Sequence, residues 1–217
     1  PYGRLDFGTG GSSSGSGASV AANYATVAVG SETSGSILSP SSANSLVGLK
    51  PTTGSLSRSG VVPISSTLDT VGPMGRSVAD VVTLFNAMVG FDGEDRAMPR
   101  ISDDLQLSIM ETPINNRRLG VLPVYSDNMQ YQNALRLFTQ HGFDLQEVDF
   151  QNERHPRFSE FLGAEMKRDL AIYLDKNASA EVAIDSISAL QEFNLLDLEM
   201  RAPYGQALVD LMVDLDL

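Results

Sequence analysis

The chain has 217 residues, 42% of them apolar, which suits one sizeable domain or two small ones with a real core. It has no cysteine, which excludes a disulfide framework, a thiolate nucleophile and any Cys-ligated metal. The net charge is −12, with −1 in residues 1–100 and −11 in residues 101–217; a phosphate-tracking surface needs the opposite sign, so direct nucleic-acid contact is not expected.

The chain starts "PYGRLDFGTGG", with neither an initiator Met nor a basic segment followed by an apolar one. Residue 1 is therefore read as an internal start of a longer product. Two serine-rich stretches follow, "GSSSGSGAS" at 11–19 and "GSETSGSILSP" at 30–40. A disordered Gly/Ser linker would be poor in apolar residues. Here "ASVAANYATVAVG" runs between them, and it reads as a buried segment of small side chains with a helix over about residues 16–26. "ILSPSSANSLVG" reads as a short helix, "SLVGLKPTTG" as a buried strand ended by Pro51 and Gly54, and "GVVPISS" as an extended piece.

The strongest helix signal comes next. Ser77 is an N-cap with Asp80 three residues on. Val78, Val81, Val82, Phe85, Met88 and Val89 repeat at helical spacing up to Gly90. "LGVLPV" (119–124) reads as a strand, Tyr131, Ala134, Leu135 and Phe138 as one face of a helix stopping near Gly142, and "FDLQEVDF" as a strand. Phe158, Phe161, Leu162, Met166, Leu170 and Leu174 mark a long amphipathic helix. A last helical region spans about 186–217 with a break near Pro203–Gly205. Alternating strands and helices predict an α/β layered fold. The acidic second half reads as a solvated helical surface, and no run of apolar residues is long enough for a membrane helix.

Phosphate-binding motifs fail on the residues. A P-loop needs GxxxxGK[ST], but Lys50 sits between Leu49 and Pro51. A dinucleotide fingerprint needs a third glycine where "GSGASV" has Val20. "GSSSG" matches the GxSxG nucleophile elbow with Ser13 at its centre, but "RLDFGTG" rather than an apolar strand precedes it. The two histidines, His141 and His155, read as surface residues, so a Ser-His-Asp triad is not supported. A serine hydrolase without histidine can use a lysine whose pKa is lowered, with a second hydroxyl relaying the proton. Ser36 fits the nucleophile: it precedes a predicted helix, where backbone N–H groups are free. The amides around Thr33, Ser34, Gly35 and Ser36 can then form an oxyanion hole, with Gly35 permitting the close turn.

The stretch from Gly8 to Asp80, "GTGGSSSGSGASVAANYATVAVGSETSGSILSPSSANSLVGLKPTTGSLSRSGVVPISSTLDTVGPMGRSVAD", resembles the amidase signature family. It is closest in style to bacterial stand-alone amidases of the peptide amidase type. The resemblance is dense from Gly3 to about Gly90 and returns in "SALQEFNLLDLEM" and the "YGQ" that follows it. It implies a Ser–cisSer–Lys triad. Ser36 matches the nucleophile, and Ser12 matches the bridging serine that follows a cis peptide bond. Ser13 and Ser31 match supporting hydrogen-bonding positions, and Thr33, Ser34 and Gly35 match the oxyanion stretch. Glu32 and Ser34 depart from the Asp and Gly of many members, a mild change shared with the peptide amidase type. Leu38 stands where the tRNA-dependent amidotransferase has Arg.

The catalytic lysine of the family precedes the bridging serine by several tens of residues, and no lysine precedes Ser12 here. Lys50 matches another family position, and Lys167 and Lys176 read as surface residues. The resemblance thus implies an interior piece of an amidase domain: a mixed β-sheet core surrounded by helices, incomplete at both ends, with a signature region at 1–90 and a helix-rich remainder at 91–217. The implied substrate is a small amide or short peptide amide, hydrolysed through an acyl-enzyme, with no cofactor, no metal, no membrane and a cytoplasmic location. The residues 1–217 alone are expected to be inactive. The rival readings are a glutamine-dependent amidotransferase component for tRNA-dependent Gln or Asn formation, and a truncated non-catalytic homologue.

Overall fold

The computed structural model describes residues 8–98, 105–109, 117–149 and 155–215. The chain divides into two compact units, residues 1–109 with 157–217, and residues 110–156.

The larger unit is built on a three-stranded antiparallel sheet. Strand β1 (Ala28–Glu32) and strand β2 (Val47–Gly48) flank strand β3 (Thr70–Gly75). β3 is buried along its whole length, and its side chains alternate between two faces. Val71 packs with Leu56 and Phe85 in the main apolar cluster. On the other face, a Cβ at Gly72 would lie 3.0 Å from Ile37, and Met74 reaches the space beside Gly30. β3 carries no sequence signal for a central strand, since Gly72 and Pro73 both disfavour one. The glycine is what this position requires, since a Cβ at Gly72 would sit 2.0 Å from the Leu49 carbonyl oxygen.

Helices α1 (Ser14–Ala21), α2 (Leu38–Ala43) and α3 (Val78–Met88) pack around this sheet. α1 ends five residues before the expected stop: Asn23 adopts φ +62° and Tyr24 is 89% exposed, so the chain turns out and returns as β1. The 45–54 segment contributes only two residues to the sheet, and 60–66 forms a loop without regular pairing. α3 forms as its sequence predicts. The Ser77 hydroxyl accepts from the Asp80 N–H and the Asp80 carboxylate accepts from the Ser77 N–H, both at 3.1 Å, while Val81 and Phe85 face the core. A capped start and an apolar stripe agree here, and burying Phe85 contributes about 1.5–3 kcal/mol.

Helix α5 (Phe158–Asn177) is the long amphipathic helix; of the expected stripe Leu170 is buried and Phe158, Leu162, Met166 and Leu174 are half-buried, but two acids are buried with them. Glu165 and Asp169, each 6% exposed, point inward, while Phe161 and Ile172 are exposed. Helices α6 (Ile187–Leu195), α7 (Leu198–Arg201) and α8 (Ala207–Val213) follow, with the break at 202–206 where Gly205 has φ +82°. Gly163 of α5 admits Leu215, whose side chain would lie 2.6 Å from a Cβ. Lys167 donates to the carbonyls of Val213 (3.0 Å) and Leu215 (2.6 Å), at the end of α8 and just beyond it; it is half-buried rather than a surface lysine among acids.

The inward carboxylates hold a turn. Ser65 and Thr67 donate their hydroxyls to Glu165, and the Ser66 N–H donates to Asp169 at 2.7 Å. Arg168 bridges both acids, at 2.9 Å and 2.7 Å. Arg58 forms a two-pronged pair with Asp95. Burial pushes Glu165, Asp169 and Asp95 up, but these hydrogen bonds and ion pairs outweigh it and hold all three below the usual carboxylate range. A lowered folded-state pKa contributes stability above the unfolded value, lost as pH falls through the folded one. The urea midpoint is thus expected to be nearly flat down to about pH 5 and to fall below about pH 4.5. A Glu165→Gln/Asp169→Asn variant should start lower and fall less steeply; an unchanged acid slope would show that this clamp is not its source.

The smaller unit pairs strands β4 (Arg118–Val121) and β5 (Asp144–Glu147) in parallel, with helix α4 (Met129–Gln140) between them in sequence. The Asn128 side chain caps α4 by accepting from the Tyr131 N–H at 2.9 Å. His141 is the C-terminal cap, and Gly142 leaves the helix at φ +80°. The described residues thus form a mixed α/β chain of helices with one small antiparallel and one small parallel sheet. No described helix is long and apolar enough to cross a membrane.

Candidate active site

The two serine-rich stretches lie side by side. β1 ends at Glu32, the chain turns through 33–36, and α2 begins at Leu38. Glu32 is 5% exposed, and its Oε2 accepts from the N–H groups of Ile37 (2.8 Å) and Leu38 (3.0 Å). A carboxylate bound by two amides satisfies orphan donors at the start of α2. The amides of Ile37 and Leu38 at the start of α2 are therefore taken by Glu32, while the amides expected to form the oxyanion hole are those of residues 33–36. Gly35 adopts φ +97°, a region that favours glycine, and its carbonyl accepts from the Ser39 N–H at 2.7 Å.

The first stretch is pinned to the second by Ser13. Its hydroxyl donates to the Ser31 carbonyl at 3.0 Å and accepts from the Ser31 N–H at 3.1 Å. Its own N–H donates to the Ser36 carbonyl at 3.1 Å. The Ser13 hydroxyl is thus engaged as donor and acceptor with β1, and it makes no cap bond to the helix that starts at Ser14. Gly30 leaves the room this needs, since a Cβ there would lie 3.0 Å from the Ser13 Oγ. Further along, Ser16 donates to the Val29 carbonyl at 2.8 Å, so α1 runs beside β1.

Ahead of Ser13, the Gly11–Ser12 peptide bond is cis and Gly10 has φ +68°. Gly10 presses on the backbone of α2, where a Cβ would lie 2.7 Å from atoms of Ser39 and Pro40. Asn44 ties the same segment down, donating to the carbonyls of Thr9 and Pro40 at 2.8 Å each.

Ser12, Ser31, Thr33 and Ser36 line one small cleft, whose far wall is Val61, Val62 and Ile64. Among the described residues neither the Ser12 nor the Ser36 hydroxyl has a hydrogen-bond partner. Gly35 sits in the adjoining turn, and Ser34 is exposed and outside the cleft lining. Asp69 also lines the cleft, a residue that sequence reasoning passed over. Its Oδ1 accepts from the Thr33 hydroxyl and its Oδ2 from the N–H groups of Ile64 and Ser65, both at 2.8 Å. The only local signal was an acid ending the "SSTLD" turn, and nothing in its spacing points back to Thr33.

All three lysines lie elsewhere. Lys50 donates to the Pro51 carbonyl at 2.9 Å, Lys167 to the carbonyls of Val213 and Leu215, and Lys176 to Glu94 at 2.7 Å. Both histidines are exposed, and neither lines the cleft. Among the described residues no His/Asp/Glu cluster has the arrangement to hold a metal ion.

Known proteins similar to this chain include amidases and amidotransferase components. A probable amidase of Arabidopsis thaliana is 44% identical over 126 residues, covering 56% of this chain and 25% of that protein. A glutamyl-tRNA(Gln) amidotransferase component of a Nitratiruptor species is 34% identical over 161 residues, covering 71% and 36%. Among solved structures, an amidase family protein from Bacillus anthracis superposes with a TM-score of 0.86 at 32% identity, over all of this chain and 44% of that one. Native peptide amidase from Stenotrophomonas maltophilia gives 0.79 at 30% identity, over 97% and 45%. This chain therefore spans between a quarter and just under half of the length of these relatives. The amidase family model matches residues 4–206, and the chain belongs to the amidase family.

Proposed function

We propose that this chain carries the nucleophile half of an amide-hydrolysing site, with Ser36 as nucleophile and Ser12 as proton relay to a lysine outside residues 1–217. The observation that carries this reading is that both residues line one cleft, their hydroxyls without a partner among the described residues. Ser36 Oγ attacks the amide carbonyl carbon and passes its proton to Ser12 Oγ, whose own proton goes to the neutral lysine amine. The negative charge on the carbonyl oxygen is met by backbone N–H groups of the 33–36 turn, held in place by Glu32 and Ser13. Collapse breaks the C–N bond, and the leaving nitrogen takes the proton back through Ser12. Water then attacks the Ser36 ester by the reverse relay and releases the acid. The proposed substrate is a small amide or short peptide amide, in keeping with the structural similarity to peptide amidase.

Every lysine of the chain is bonded away from the cleft. Residues 1–217 alone are therefore expected to hydrolyse a primary amide about 10²–10⁴-fold more slowly than the complete protein, the usual contribution of a positioned base. Ammonia release by both proteins, measured side by side, checks this; equal turnover would overturn the lysine assignment. An amidotransferase component is the second reading, favoured by the 34% identical relative. Turnover of simple amides by the complete protein with no partner protein present would exclude it.

A further inference from the structure

We infer that Asp69 is a positioning residue for the oxyanion turn, a step that rests on the reading of Ser36 as nucleophile. The carboxylate is 7% exposed, and both of its oxygens are occupied by groups from opposite sides of the cleft. On one side it accepts from the Thr33 hydroxyl, three residues before Ser36. On the other it accepts from the Ile64 and Ser65 N–H groups, at the apolar wall. A carboxylate that only closed the 64–69 turn would need the second set alone. The bond to Thr33 joins that turn to the stretch whose amides must meet the developing charge.

Asp69 is itself rigidly supported from behind. Glu165 and Asp169 of α5 grip Ser65, Ser66 and Thr67, and Arg58 donates to the carbonyls of Ser66 (2.7 Å) and Asp69 (3.2 Å). The Thr33 bond ties the turn that contains Gly35, at φ +97°, to this supported carboxylate. Donors aimed at the transition-state oxygen contribute to kcat far more than to substrate binding.

The test uses the complete protein and steady-state kinetics on one primary amide. Asp69→Asn and Thr33→Val are each expected to lower kcat by about 10–100-fold with KM changed by less than about 3-fold. The double variant should be no worse than the poorer single one, because both changes act on the same Thr33–Asp69 contact. Thr33→Ser, which keeps the hydroxyl, should recover at least about half of the logarithmic loss of Thr33→Val. If Asp69→Asn fails to fold, as judged by circular dichroism melting, the Thr33→Val and Thr33→Ser pair decides alone. Multiplicative losses in the double variant, no rescue by Ser, or losses confined to KM would overturn the proposal. Should Ser36→Ala retain activity, the reading of the nucleophile fails instead; a dead Ser36→Ala beside a normal Asp69→Asn overturns only the role of Asp69.

Discussion

Ser36→Ala in the complete protein is expected to abolish the acyl-enzyme and to lower amide turnover by about 10⁴–10⁶-fold, as removal of a serine nucleophile does elsewhere. The size follows from the chemistry: of the two cleft hydroxyls in the 33–36 turn, that of Thr33 is donated to Asp69, and that of Ser36 is bonded to none of the described residues. Ser12 faces the cleft from the other stretch, and Ser13 is held by Ser31 through both of its hydrogen-bonding modes. Stability should hardly change, within about 0.5–1 kcal/mol, because the Ser36 hydroxyl bonds to none of the described residues and the carbonyl that binds the Ser13 N–H is kept. Quenching a single turnover and weighing the peptide that contains Ser36 measures the adduct directly. A variant that still acylates, or that retains activity within about 100-fold of the parent, assigns the nucleophile elsewhere.

Gly10→Ala is expected to be the most damaging single-methyl change near the site. Two costs add. The residue has φ +68°, which costs an L side chain about 1–2 kcal/mol. The new Cβ would lie 2.7 Å from the carbonyl carbon and oxygen of Ser39 and from the nitrogen of Pro40. Backbone atoms cannot swing aside as a side-chain tip can, so overpacking adds about 1–3 kcal/mol. Together these approach half the stability of an ordinary domain. Gly60→Ala is the control: Gly60 has φ +79°, but a Cβ there meets nothing within 4 Å. Urea unfolding should show Gly10→Ala losing about 1–3 kcal/mol more than Gly60→Ala. The excess should be accompanied by lower kcat, because relieving the clash moves the segment that carries Ser12. Equal losses in the two variants would show that α2 does not buttress the site through Gly10.

The elements with strong local signals were legible. α3 follows from a capping box and a stripe at helical spacing, and α4 and the βαβ order of the smaller unit follow from periodicity and Gly142. The candidate site was legible in a different way, through a long motif that marks Ser12, Ser13, Ser31 and Ser36 together. Ser13 shows the limit of a short pattern: it sits at the centre of a GxSxG match, and its hydroxyl serves to fasten two segments together.

By itself the sequence determined the family, the helices with capped and periodic signals, and the serines that line the cleft, because each of these is encoded by residues close together in the chain. Only the tertiary structure decided that the glycine- and proline-bearing β3 is the central strand, that Glu165 and Asp169 turn inward, and that Asp69 meets Thr33. The last two contacts span about a hundred residues and thirty-six. The physical reason is the same throughout. Apolar periodicity is a local property of the chain, whereas buried carboxylates such as Glu165, Asp169 and Asp69 are tolerated because folding delivers donors to them. Those donors come from segments whose meeting no spacing records.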